Sequence, residues 1–216
     1  RDQGAHAFCH CIPDTWHQMG VILSASSCLS WIAGVTQQKE SELIDKLESR
    51  PFEPGNLCFL PYLSGERTPH NNPNAQGVFL GLKHEHGSLE MTQAVLEGVA
   101  YAFRDCQKVL LEAGAEIGEV SLIGGGSRSR LWGQILASVL NRPLNRHEGS
   151  ELGPAQGAAR LAMLAAEQGS LEQICTRPKI SEVLESQPSL VMHYQEKQEQ
   201  YGKIYRSLEA VSYTHL

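Results

Sequence analysis

The chain has 216 residues, 41% hydrophobic and 19% charged, the balance of an ordinary globular protein with room for one large domain or two small ones. Its formal net charge of −6 at pH 7 argues against a nucleic-acid surface, which takes a basic patch. No apolar run approaches the ~20 residues that cross a bilayer, so no membrane span is expected, and no signal peptide is visible. The chain opens on Arg1 rather than Met, so its native start is expected upstream.

Residues 6–12 alternate weakly and read as a strand, and 14–20 as a turn followed by a short extended stretch. His6, Cys9, His10 and Cys11 cluster here, but on a strand the two cysteines share one face and the two histidines the other. No second cysteine pair at zinc spacing follows, and small buried thiols are the simpler reading. The cysteines at 9, 11, 28, 58, 106 and 175 are too scattered for a secreted disulfide framework and read as reduced thiols of a cytoplasmic protein.

Residues 24–32 read as a short apolar helix stopped by Gly34, and 41–47 as a second helix with a polar face. RPFEPGN (50–56) is a loop by its prolines and glycine. LCFLPYL (57–63) is a buried-type strand broken at Pro61. SGERTPHNNPNAQG (64–77) is long, polar and rich in Gly, Pro and Asn, and loops of that length inside a domain usually carry function or are disordered. VFLGL (78–82) returns to strand.

Ser88 is expected to cap the strongest helix, in which Val95, Val99, Ala102, Phe103, Cys106 and Leu110 form one apolar stripe. Glu90 sits in its first turn, where a carboxylate complements the helix dipole, and Gly114 ends it. A strand over 120–123 follows, and the long helix is expected to pack against the sheet that contains it. Then come three glycines and Ser127, a helix with Leu131, Ile135 and Val139 in register, and a short strand over 143–147. GSELGPAQGAARLAMLAAEQG (149–169) reads as a helix with Pro154 in its first turn. A last helix covers about 191–208. Strands alternating with helices indicate an α/β domain.

The glycine triplet at a strand-to-helix junction is the main functional signal. A dinucleotide site needs G-x-G-x-x-G; Gly124 and Gly126 fit, but Ser129 holds the third position. A P-loop needs Gly-Lys-Ser/Thr, and no lysine is present. Two readings stay open. A planar base lies against the bare backbone of Gly125 and Gly126, with the Ser127 hydroxyl nearby, or the glycines only make a tight turn.

GVFLGL (77–82), followed after seven residues by EMTQAVLE (90–97), resembles the C-terminal signature of the FGGY carbohydrate kinases. LIGGGSRS (122–129) is similar to that family's adenosine-binding loop. YLSGERTPHNNPNAQG (62–77) and HAFCHCIPDTWHQMGVILSASSCLSW (6–31) are most similar to its xylulokinase branch. The resemblance implies an α/β, RNase H-like domain of the actin-like ATPase superfamily, a mixed sheet with flanking helices. It implies two such domains around a cleft, with sugar held mainly by the first and ATP by the second. Residues 1–209 would be most of the second, truncated on its N-terminal side. The implied reaction is transfer of the ATP γ-phosphate to a sugar hydroxyl with Mg²⁺ and an aspartate base, taking D-xylulose to D-xylulose 5-phosphate in that branch. Gluconate, glycerol or ribulose kinases of the family are alternatives, as is a non-catalytic nucleotide-binding module.

Carried over residue by residue, Gly124, Gly125, Gly126 and Ser127 match the adenosine loop. Arg130 stands where the family often has a polar residue near the base, and Gly153 opens the helix beside the loop. Arg67 is open between a phosphate contact and surface ion pairing. No catalytic base is assigned: the only aspartates are Asp2, Asp14, Asp45 and Asp105, and none lies in the family's Gly-Asp-rich turn, expected upstream. The implied partners are the sugar, ATP and the upstream domain, with a homodimer kept open. VSYTHL (211–216) breaks the helical pattern, matches one reading frame of a common sequencing-adapter end, and is expected to be non-native.

Overall fold

The structure, a computed structural model, describes residues 4–214. Strands β1 (His6–Cys9) and β2 (Trp16–Met19) form an antiparallel hairpin with Phe8 opposite His17 and Cys9 opposite Trp16. No described element covers either face, so Cys9 and Cys11 are exposed; the expectation of buried thiols there is corrected, and the buried ones are Cys28 and Cys106.

Helix α1 (Ser26–Thr36) starts later than expected and runs through Gly34 to Gln37, which takes the left-handed conformation. A glycine in a helix interior costs only about 1 kcal/mol against alanine, and burial of Cys28, Ile32 and Ala33 outweighs it. Helix α2 (Glu40–Glu48) buries Leu43 and Leu47. Strands β3 (Cys58–Leu60) and β4 (Val78–Leu80) pair antiparallel, and Trp31 stacks on Phe59 with ring centroids 5.7 Å apart. The long loop between the strands is tied to its surroundings: Glu66, Thr68 and Asn72 are all buried, and Thr68 Oγ1 accepts the Val21 N–H at 3.0 Å.

Helix α3 (Ser88–Glu112) begins one residue earlier than a Ser88 cap would place it, because Gly87 occupies the cap position and its N–H donates to Glu90 Oε2 at 3.0 Å. It ends as expected at Gly114 (φ +89°), with the Ala115 and Gly114 N–H groups returned to the Leu110 and Leu111 carbonyls. Val95, Val99, Ala102 and Cys106 are buried along its stripe, with Phe103 and Leu110 half-buried.

Strand β5 (Val120–Leu122), helix α4 (Arg130–Leu140), strand β6 (Leu144–His147), helices α5 (Pro154–Ala165) and α6 (Leu171–Ile174), and strand β7 (Ile180–Leu184) complete an α/β unit with a mixed sheet in the order β5-β6-β7. β5 and β6 are parallel, while β6 and β7 are antiparallel with Leu144 opposite Leu184. The main neighbours of α3 are α4, β3, α1 and α2. Its Leu96 and Ala100 share one hydrophobic core with Leu122 of β5 and Leu144 of β6, the sheet against which the long helix is expected to pack. The helix expected from 149 starts at Pro154, after a 3₁₀ turn. Helix α7 (Pro188–Thr214) is longer than expected, and its backbone stays helical through 211–214; residues 215 and 216 of the suspected tail lie outside the described residues.

One core joins Leu60, Tyr62, Ala100, Ile135 and Leu144 to the α7 tyrosines Tyr194, Tyr201 and Tyr205. A second joins α1 to α3 through Cys28, Ile32, Phe59, Val95 and Val99.

Candidate nucleotide site

β5 and β6 run side by side, so both carboxyl ends leave the sheet at one edge, where open α/β sheets bind ligands. After β5, Ile123 is 59% exposed, and Gly124 takes φ +86°, a conformation that excludes most side chains. Gly125–Arg128 is a 3₁₀ turn, and a matching 3₁₀ turn, Ser150–Leu152, follows β6. The two are latched together. The Gly124 N–H donates to the Ser150 carbonyl at 2.8 Å, and the Ser150 hydroxyl donates to Ser127 Oγ at 3.1 Å. Gly153 (φ +53°) lies so close that a Cβ on it would sit 3.2 Å from Gly124 Cα.

Gly124, Gly125, Gly126, Ser127 and Gly153 are therefore brought together, but in different roles. Ser127 is buried, and its hydroxyl is turned to Ser150 rather than to the surface. Gly125 and Gly126 are exposed. A Cβ on Gly125 would enter open space, whereas one on Gly126 would meet Trp132 Nε1 at 3.1 Å. Arg130 points away from the loop: its Nε donates to Glu182 Oε1 at 2.9 Å, and Arg146 holds the other oxygen of that carboxylate at 2.7 Å. The bond from Arg130 and the charge of Arg146 hold the Glu182 carboxyl below its ordinary range.

Ser129 caps α4, accepting the Trp132 N–H at 3.1 Å. The close helix–strand approach that a third glycine would allow is made instead by Gly133, where a Cβ would lie 2.3 Å from Leu184 Cδ1. Sequence reading missed Ser150 and Gly133; the Gly149-Ser150 pair after a strand is the one signal that marks the second turn.

The loop 64–77 is pinned elsewhere. Glu66 Oε1 accepts from the Leu23 and Arg67 N–H groups at 3.1 and 2.8 Å, Oε2 is buried with no partner, and burial raises the carboxyl's pKa. Arg67 is exposed, and its guanidinium makes no ion pair among the described residues. Of the aspartates, Asp105 accepts from Gln198 Nε2 at 2.8 Å, Asp14 and Asp45 are exposed on other elements, and Asp2 is outside the described residues. Among the described residues no three of His, Cys, Asp and Glu converge to hold a metal ion, and no helix is long and apolar enough to cross a membrane.

Two latched turns at the carboxyl ends of adjacent parallel strands, with glycine backbone bared on one of them, stand where open α/β sheets take their ligands. The family model "FGGY family of carbohydrate kinases, C-terminal domain" matches residues 3–166, and the chain belongs to that family. It is 42% identical over 209 residues to the xylulose kinase of Escherichia coli (strain K12), covering 96% of this chain and 43% of that protein. It is 40% identical over 210 residues to the xylulose kinase of Klebsiella pneumoniae, with the same coverage of 96% and 43%. The crystal structure of a xyloylose kinase from Brucella ovis superposes with a TM-score of 0.88 at 44% identity, over 97% of this chain and 43% of that one. The chain thus spans less than half the length of the relatives it matches.

Proposed function

We propose that the chain is the nucleotide-binding half of an ATP-dependent D-xylulose kinase, forming D-xylulose 5-phosphate. The observation that carries the nucleotide assignment is the exposed Gly125-Gly126 backbone, held rigidly where two parallel strands end. A flat adenine lies on backbone that bears no Cβ, and the loop contains no lysine to grip β- and γ-phosphates, so the nucleoside end of ATP belongs here. Gly124, Ser127 and Gly153 hold the two turns in register beneath it, and Arg130 stands at the rim of the same helix end. The similarity to xylulose kinases supports the choice of sugar and an RNase H-like fold, with residues 1–209 as the C-terminal domain.

On this reading the sugar site, the phosphate turns and the catalytic base come from an upstream domain. Phosphoryl transfer needs positioning and charge neutralisation from several parts at once. Mg²⁺ accompanies ATP in such reactions, but the described residues offer it no ligand set, so it is not assigned to this half. Exposed Cys9 and Cys11 suit a reducing cytoplasm. A homodimer is not required.

The test is Gly125→Val in the full-length kinase. Because a side chain there meets open space, the fold is retained, and the KM for ATP should rise about tenfold, equivalent to about 1.4 kcal/mol. The KM for xylulose should hold. A fall in sugar affinity with ATP affinity unchanged would assign the loop to the other substrate.

A further inference from the structure

Helix α4 starts badly by its own sequence. Its first turn contains no acidic residue, and it opens on Arg130, a cation at the positive end of the helix dipole. Helix α2 ends badly in the opposite sense, on Glu48, an anion at the negative end of its own dipole. The two faults meet in space. Glu48 Oε1 accepts from the Ser129 hydroxyl at 2.8 Å and from the Leu131 N–H at 3.1 Å. Ser129 Oγ in turn accepts the Trp132 N–H at 3.1 Å, and the Trp132 ring backs Gly126. A contiguous chain therefore runs from Glu48 through Ser129 and Trp132 to the exposed glycines. On the other side Glu182 neutralises Arg130.

We infer that Glu48 is a positioning residue for the nucleotide loop: it does not touch ATP, but supplies the carboxylate that α4 lacks and so fixes the turn that holds the base. The inference rests on the nucleotide reading of that loop. It explains why a glutamate stands at the end of α2, where a lysine would serve the local helix better.

The test uses Glu48→Ala, Glu48→Gln, Ser129→Ala and the double variant Glu48→Ala/Ser129→Ala in the full-length kinase, with Gly125→Val as control. Glu48 is exposed, so its substitution leaves the core intact. Glu48→Ala should raise the KM for ATP roughly three- to tenfold, the scale of a lost helix cap, with kcat and the KM for xylulose within about twofold. Glu48→Gln keeps an acceptor oxygen for both donors but not the charge, and should recover only part of the affinity. Ser129→Ala should reproduce the defect, and the double variant should be no worse than the poorer single one, as for residues in one chain of contacts. The inference is overturned if Glu48→Ala leaves the KM for ATP within twofold, if both substrates weaken alike, or if the two defects simply multiply. If Gly125→Val does not weaken ATP, the nucleotide reading itself fails, and the inference with it. If Gly125→Val weakens ATP and Glu48→Ala does not, only the inference falls.

Discussion

Asp105 sits in the C-terminal third of α3, bonded to Gln198 of α7, where burial raises its carboxyl to about 6 from an ordinary 3.8. The bond from Gln198 and the charges of Lys108, Arg104 and Arg206 pull the other way without cancelling that rise. The folded state therefore binds this proton more tightly than the unfolded chain. The associated stability is fully present below about pH 4 and is lost as pH rises through 6. Asparagine keeps the acceptor for Gln198 Nε2 and offers an amide donor for Gln198 Oε1, which is buried and unpaired. Asp105→Asn should accordingly raise stability by about 2 kcal/mol at pH 8, or roughly 4–8 °C in melting temperature. Thermal melts at pH 4 and pH 8 check this; an equal gain at both would rule out the charge as the cause. Single residues of this kind are the least legible from sequence. The glycine triplet was readable because glycine has a local conformational meaning. That Ser127 turns inward to Ser150, and that Arg130 turns to Glu182, depends on neighbours 23 and 52 positions away.

At the scale of elements, close packing turns on two glycines inside helices. A Cβ on Gly98 of α3 would stand 2.2 Å from the Phe59 carbonyl oxygen of β3, which is backbone and cannot rotate aside. Gly98→Ala should therefore destabilise the domain by about 3 kcal/mol, despite alanine's better helix propensity. A Cβ on Gly133 of α4 would instead meet the methyl end of Leu184, which can repack. Gly133→Ala should stay within about 1 kcal/mol of the parent, the propensity gain offsetting much of the crowding. Denaturant unfolding of the two variants distinguishes them; equal losses would mean that β3 yields as readily as a side chain. The helices carrying these glycines were legible from apolar spacing, and so was the strand leading into the nucleotide loop. β7 was not. ISEVL is five residues long and has two-sided exposure, with Ile180 at 39% and Val183 at 45%, and its place comes from pairing with β6. The end of α1 was misplaced because a stop signal at Gly34 yields to burial on either side of it.

Over the whole molecule, burial is uneven. α5 has no buried residue, with Leu161 and Met163 at 44% and 41% exposure, and β5 is a sheet edge among the described residues. If an upstream domain completes the kinase, these are the surfaces that gain most from it. Amide exchange should be fast in α5 and slow in α4 in this chain alone, and slowed in α5 in the full-length protein; fast exchange in both would refute that. The chain alone should produce no xylulose-dependent ADP above a blank, since cleft closure needs both halves. The opposite extreme of burial has its own consequence. α7 places Tyr194, Tyr201 and Tyr205 in the core, where Tyr201 bonds the Tyr62 hydroxyl across 139 positions and Tyr205 bonds Asn72 across 133. On a ribosome, which delivers the chain in order, Tyr62 and Asn72 emerge long before the helix that seals them. At about 5–20 residues per second, those 139 positions correspond to roughly 7–28 seconds in which Tyr62 waits uncovered at the edge of the loop 64–77. A nascent chain stalled before 188 is therefore the form in which this domain is most exposed to chaperones and to aggregation, and release of α7 is the event that ends that exposure.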